Sequence, residues 1–167
     1  MNTIAILQTI VAYLIGIFSL VMVNNILSGY LRRRFDISEQ NIAYGILQTS
    51  IIIATALILS SVIDPGVSAI KLTNQGENTF TGIILSFGYV FLFMIIGVLF
   101  TLITIASSVF ILFQMTHVNE WAEIKNNNYV ISMISGAIII GLSIIIDSYV
   151  GNLCEAIVPY PDVITIH

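Results

Sequence analysis

Residues 41–63 read NIAYGILQTSIIIATALILSSVI, and a stretch of the same kind returns at 128–150 as NYVISMISGAIIIGLSIIIDSYV. The two align without a gap at a constant register of 87 residues, the separation of Asn41 and Asn128. Small residues fall on small ones: Gly45 on Ser132, Thr49 on Gly136, Ser50 on Ala137, Ala54 on Gly141 and Ala56 on Ser143. Ile51, Ile52 and Ile53 fall on Ile138, Ile139 and Ile140. Each stretch has the length of a bilayer-spanning helix of about 20 residues and is too apolar for water. Two copies of one such helix are the mark of a membrane protein with an internal repeat.

Composition agrees. The chain is 57% hydrophobic and 8% charged, with a mean hydropathy of +1.02, whereas a soluble surface normally takes about 25% charged residues. Its 167 residues hold one integral membrane domain, 1–167. Repeat 1 covers about 4–64, repeat 2 about 81–150, and 151–167 forms an outer tail. A net charge of −4 provides no cationic face for nucleic acid, and that class of partner is set aside. Cys154 is the single cysteine, so no intrachain disulfide, CxxC pair or Cys/His metal spacing exists, and neither metal nor cofactor is expected. The N-terminal apolar run lacks a basic leader and exceeds signal-peptide length, so it reads as the first span.

Four runs follow. The first, about 4–30, ends at Arg32-Arg33-Arg34. The second, 41–63, meets Asp64-Pro65-Gly66, where proline lacks the donor to continue a helix, and this is the sharpest predicted stop. A polar linker at 71–78 leads to the third run, 81–114, long enough to tilt or to project from the bilayer. The connector 117–125 reaches the fourth, 128–150. Spans of this length are helices, because backbone polar groups in lipid must satisfy one another and barrel-type alternation is missing. The fold class is therefore all-α, four transmembrane helices arranged as two parallel two-helix repeats. Two spans per repeat insert both repeats in the same sense. Arg32, Arg33, Arg34 and Lys125 lie on one side against Lys71 on the other, which puts the hairpin tips in the cytoplasm and both termini outside.

Helical spacing places Gly45, Thr49, Ala56 and Ser60 on one stripe of the second span, and Ser132, Gly136, Ser143 and Asp147 on the matching stripe of the fourth. Small residues let membrane helices approach closely. The two stripes are expected to face each other, with Thr49 opposite Gly136. The alternative is that they contact spans one and three or a second subunit.

The sequences FDISEQNIAYG (35–45) and AEIKNNNYVIS (122–132) carry a resemblance. An acidic turn before an Asn that opens an Ala-, Gly- and Ser-rich aliphatic helix, repeated in tandem, resembles a bacterial inner-membrane family of unknown function. It is often called YjfL-like and is also known as domain of unknown function 350. The resemblance runs from about Val11 to Val150, with Tyr129 and Val130 departing from Ile42 and Ala43. It implies a tandem four-helix membrane protein and supplies no catalytic residues.

Few side chains suggest chemistry. Asp36, Glu39 and Glu123 precede helices, where carboxylates meet the positive end of the macrodipole, and Ser38 or Asn41 is placed to cap. Arg32, Arg33 and Arg34 read as anchors on anionic lipid headgroups. Asn24, Asn25, Gln48 and Gln114 read as interhelical hydrogen-bonding groups, and His117 as a loop histidine. Asp64 and Asp147 approach each other at the outer helix ends and form the candidate cation site, against the plainer reading of acids exposed to water. With no ionisable group deep in any run, proton-coupled transport is disfavoured. The expected function is a non-enzymatic membrane component that packs into a homo-oligomer or with other membrane proteins in the lipid bilayer. The alternative is an oligomeric channel or facilitator for a small ion or solute. A quinone site ranks lower, for want of a paired His or acid near the aromatic belt of Tyr30, Trp121, Tyr129 and Tyr149 at the span ends.

Overall fold

A computed structural model describes residues 3–38, 40–73, 79–116, 119–158 and 160. All regular structure in them is helical: α1 (Thr3–Phe35), α2 (Ile42–Ser61), α3 (Ile63–Thr73), α4 (Thr79–Thr116), α5 (Glu120–Lys125) and α6 (Tyr129–Ile157). Four helical stretches are long and apolar enough to cross a membrane: Ile6–Phe35, Ile42–Thr73, Phe80–Met115 and Tyr129–Ile157. The protein is an all-α, multi-pass membrane protein.

The stop expected at Asp64-Pro65-Gly66 is a joint instead. α2 ends at Ser61 and α3 begins at Ile63, with the Gly66 N–H bonded to the Val62 carbonyl at 3.2 Å. Pro65 is the third residue of α3, within the first turn, where a missing N–H removes no intrahelical bond. The second span therefore runs on to Thr73, through residues expected to be linker. There Thr73 and Ser86 share a hydroxyl hydrogen bond of 2.6 Å that ties α3 to α4. Residues 74–78, the rest of that linker, lie outside the described residues.

α2 and α6 form the most extensive helix pair, with α4 packed on both and α1 against α2, α3 and α4. At one end Leu47, Ile51, Ala54, Ile105, Ile124 and Ile139 make one core cluster; at the other Ile58, Val62, Phe93, Val150 and Cys154 make the second. Side chains such as Leu7, Phe18, Phe91 and Phe113 stay exposed. Such apolar surface fits a hydrocarbon solvent rather than water.

Candidate functional site

The α2–α6 seam is dominated by close backbone approach. A methyl group added at Gly136 would overlap Ser50 Oγ and lie 3.0 Å from Ser50 Cβ, and one at Gly151 would lie 3.2 Å from the Ser61 carbonyl oxygen. Hydroxyls along the seam turn back to their own helices: Ser50 donates to the Ile46 carbonyl (3.1 Å), Ser135 to Ile131 (2.8 Å) and Ser143 to Ile140 (2.7 Å). Contact rather than interhelical hydrogen bonding holds these helices along most of their length. Ser132, fully buried, has a hydroxyl with no hydrogen-bond partner among the described residues.

Only half of the expected stripe pairing lies in this seam. Ser132, Gly136 and Ser143 are buried on α6, whereas Gly45, Thr49, Ala56 and Ser60 are exposed on α2. Gly136 meets Ser50, not Thr49. α2 carries small residues on two sides, and the side that meets α6 is the one bearing Ser50 and Ala54, 7% and 0% exposed. Spacing alone does not choose between two such rows.

At the tips the two hairpins clasp each other. Asn41 caps α2 by accepting from the Tyr44 N–H (2.7 Å), and its amide donates to the carbonyls of Ile124 (2.8 Å) and Lys125 (3.1 Å). Asn127 returns the link by accepting from the Ala43 N–H at 3.0 Å. Phe35 stacks on Trp121 with centroids 4.1 Å apart and planes 5° from parallel, and Lys125 pairs with Asp36 at 2.9 Å. The ammonium of Lys125, first by its hydrogen bond and then by its charge, holds the Asp36 carboxyl below the usual carboxylate range. Asn128 caps α6 more locally, accepting from the Val130 and Ile131 N–H groups and donating to Glu123 at 2.8 Å. The α5 turn and the Phe35–Trp121 stack carried no sequence signal beyond the aromatic content of the connector.

Of the three arginines, Arg33 and Arg34 are exposed, while Arg32 folds over the Tyr44 ring, 5.0 Å from its centroid. The Tyr44 hydroxyl in turn donates to Ser28 Oγ at 3.1 Å. Gln114 and Asn25 are exposed and Gln48 is half-buried. Glu39 and His117 lie outside the described residues. At the opposite end Asp64 and Asp147 line one shallow groove with Ser61, Ser148, Asn152 and Glu155. No set of three His, Cys, Asp or Glu residues that could hold a metal ion occurs among the described residues. A cavity of about 20 Å³ between α2, α4, α5 and α6 is lined by Ile51, Ile105, Ser108, Glu120, Ser135 and Ile139. It has room for about one water molecule, far below a ligand pocket of roughly 300 Å³ or more.

Clasped hairpin tips and a tight small-residue seam define a multi-pass helical membrane protein assembled from two side-by-side hairpins. The family model described as Domain of Unknown Function (DUF350) matches residues 1–150, and the chain belongs to that family. Comparison with curated proteins and with solved structures gives no match.

Proposed function

We propose that the chain is a non-enzymatic component of the bacterial inner membrane whose work is lateral association, with itself or with other membrane proteins. In this reading the two hairpins are tandem copies of one unit within a single domain, their tips face the cytoplasm and both termini lie outside. One observation carries the association: Gly45, Thr49, Ala56 and Ser60 form an exposed small-residue face on α2. Such faces are where membrane helices come close enough for tight contact. Extraction into lipid nanodiscs with surrounding native lipid, followed by mass measurement, should yield particles holding more than one chain. Particles holding one chain and no other protein would overturn the reading.

The second reading, an oligomeric channel or facilitator, draws on the outer groove where Asp64, Asp147 and Glu155 come together. Flux into liposomes carrying the purified protein separates the two. A flux abolished by Asp64→Asn with Asp147→Asn would favour the channel.

A further inference from the structure

The α2–α6 seam is asymmetric, and the asymmetry names the missing partner of each exposed face. Within the chain, Gly136 of α6 meets Ser50 of α2 and Gly151 meets Ser61, and the small residues in line with these contacts are covered: Ser132, Gly136 and Ser143 on α6 and Ser50 and Ala54 on α2 are buried, and Ser61 is half-buried. Moved by the 87-residue register, the α6 row becomes Gly45, Thr49 and Ala56 of α2, and the α2 row becomes Ala137, Gly141 and Ser148 of α6. Every residue of both transposed rows is exposed. Each chain therefore buries one copy of a mated pair of surfaces and leaves the other copy open, one half on α2 and one half on α6.

We infer that a second copy of this chain covers these faces, the Gly45–Thr49–Ala56 row of one protomer seating on the Ala137–Gly141–Ser148 row of the next. This rests on the self-association proposed above and specifies its geometry. The steric terms agree at the counterpart of the Gly136–Ser50 contact, whereas the Gly151–Ser61 contact transposes to Asp64 and Ser148, where the carboxylate needs more room. Thr49 is bulkier than Gly136, which it replaces in register, and the opposing row is correspondingly slimmer, Ala137 standing for Ser50 and Gly141 for Ala54. A methyl group added at Gly45 or Gly141 would meet nothing within 4 Å, so these glycines have no packing use inside their own chain. A helix-interior glycine disfavours the helix relative to alanine, and close approach by a neighbour gives both residues a use.

The contact is heterologous, because different faces meet, so it propagates head to tail until it closes. At about 100° per residue the two rows, five positions apart in sequence, stand about 140° apart on either helix, an angle that closes after about nine helices, or four to five chains. Tyr44 with Ser28 and Arg32 places α1 on the wider arc of α2, and Ser135 and Ile139, opposite Ile105 and Ser108, place α4 on the wider arc of α6. α1 and α4 thus form the outer layer. The narrower arc carries Ile46, Ile53 and Leu57 with Ser60 on α2, and Met133, Ile140 and Ile144 with Asp147 on α6, so the enclosed space is apolar along most of its length, where it suits lipid chains rather than an aqueous path, and polar at the end bearing Ser60 and Asp147.

Disulfide trapping in native membranes tests the geometry, using a Cys154→Ala background that removes the native thiol. Chains carrying Thr49→Cys and chains carrying Ala137→Cys, differently tagged and coexpressed, should crosslink to each other, and neither variant should crosslink alone. The double variant should give a ladder ending at a closed species of four or five chains. Efficient crosslinking of Thr49→Cys to itself would show a two-fold contact and overturn the inference. Multichain particles in nanodiscs without any 49–137 crosslink would overturn it while leaving self-association standing, and single-chain particles would overturn both. A second variant guards against misfolding: Gly141→Leu, whose side chain has open space in its own chain, should keep the helical circular dichroism while lowering particle mass to one chain. Unchanged mass would count against the inference.

Discussion

Asn41 and Asn128 occupy the same place in the 87-residue register, yet they have unequal work. Asn41 caps its helix and also bonds two carbonyls of the other hairpin, while Asn128 bonds only within its own. A lost cap costs about 1 kcal/mol and each lost hydrogen bond about another 1 kcal/mol. Asn41→Ala should therefore destabilise by about 3 kcal/mol and Asn128→Ala, which loses its cap and the Glu123 bond, by about 2 kcal/mol, read by SDS titration of the detergent-solubilised protein. Ser132→Ala should not destabilise. Its hydroxyl is buried without a partner, and removing such a group restores about 1 kcal/mol or leaves stability unchanged. Asp36, held low by Lys125, contributes through the ion pair fully above the ordinary carboxylate pKa near 4, and the contribution is lost as pH falls through the lowered folded-state value. Trp121 fluorescence, reporting the neighbouring stack, should be flat from neutral pH down to about 5 and change only below about 4. Asp36→Asn should remove that acid transition.

The helices themselves were legible because a run of apolar residues as long as a bilayer is thick has only one satisfactory backbone conformation. Their ends were harder to place. Pro65 reads as a terminator, but it falls in the first turn of α3, and the span continues to Thr73. The tail after Val150 likewise stays helical to Ile157. The α2 face was misplaced for a definite reason: small residues form two rows on that helix, and only the three-dimensional seam shows that Ser50, not Thr49, meets Gly136. Gly136→Ala should weaken the α2–α6 pair, since the new methyl group would overlap the Ser50 hydroxyl. Ser50→Gly should relieve it, so that a double-mutant cycle on unfolding gives a coupling of about 0.5–3 kcal/mol. Strict additivity would mean that the helices do not approach at this point.

At the scale of the whole molecule, counting two spans per repeat leads to the expectation of parallel insertion, and the clasp is what such hairpins would form where their tips meet. Asp36 and Lys125 touch, as do Phe35 and Trp121, so the hairpin tips share one end of the helix bundle; in the proposed topology that end faces the cytoplasm and Lys71, near the end of α3, the other side. The clasp was invisible in the sequence because its partners are more than 80 residues apart, as in Asn41 with Ile124 and Asp36 with Lys125. Single cysteines at 36, 71 and 125, each in a Cys154→Ala background, can be probed in intact cells with a thiol reagent that does not cross the membrane. Positions 36 and 125 should both be protected and position 71 modified. Modification of 36 and 125 from opposite faces of the membrane would contradict the side-by-side hairpins, and with them the α2–α6 seam.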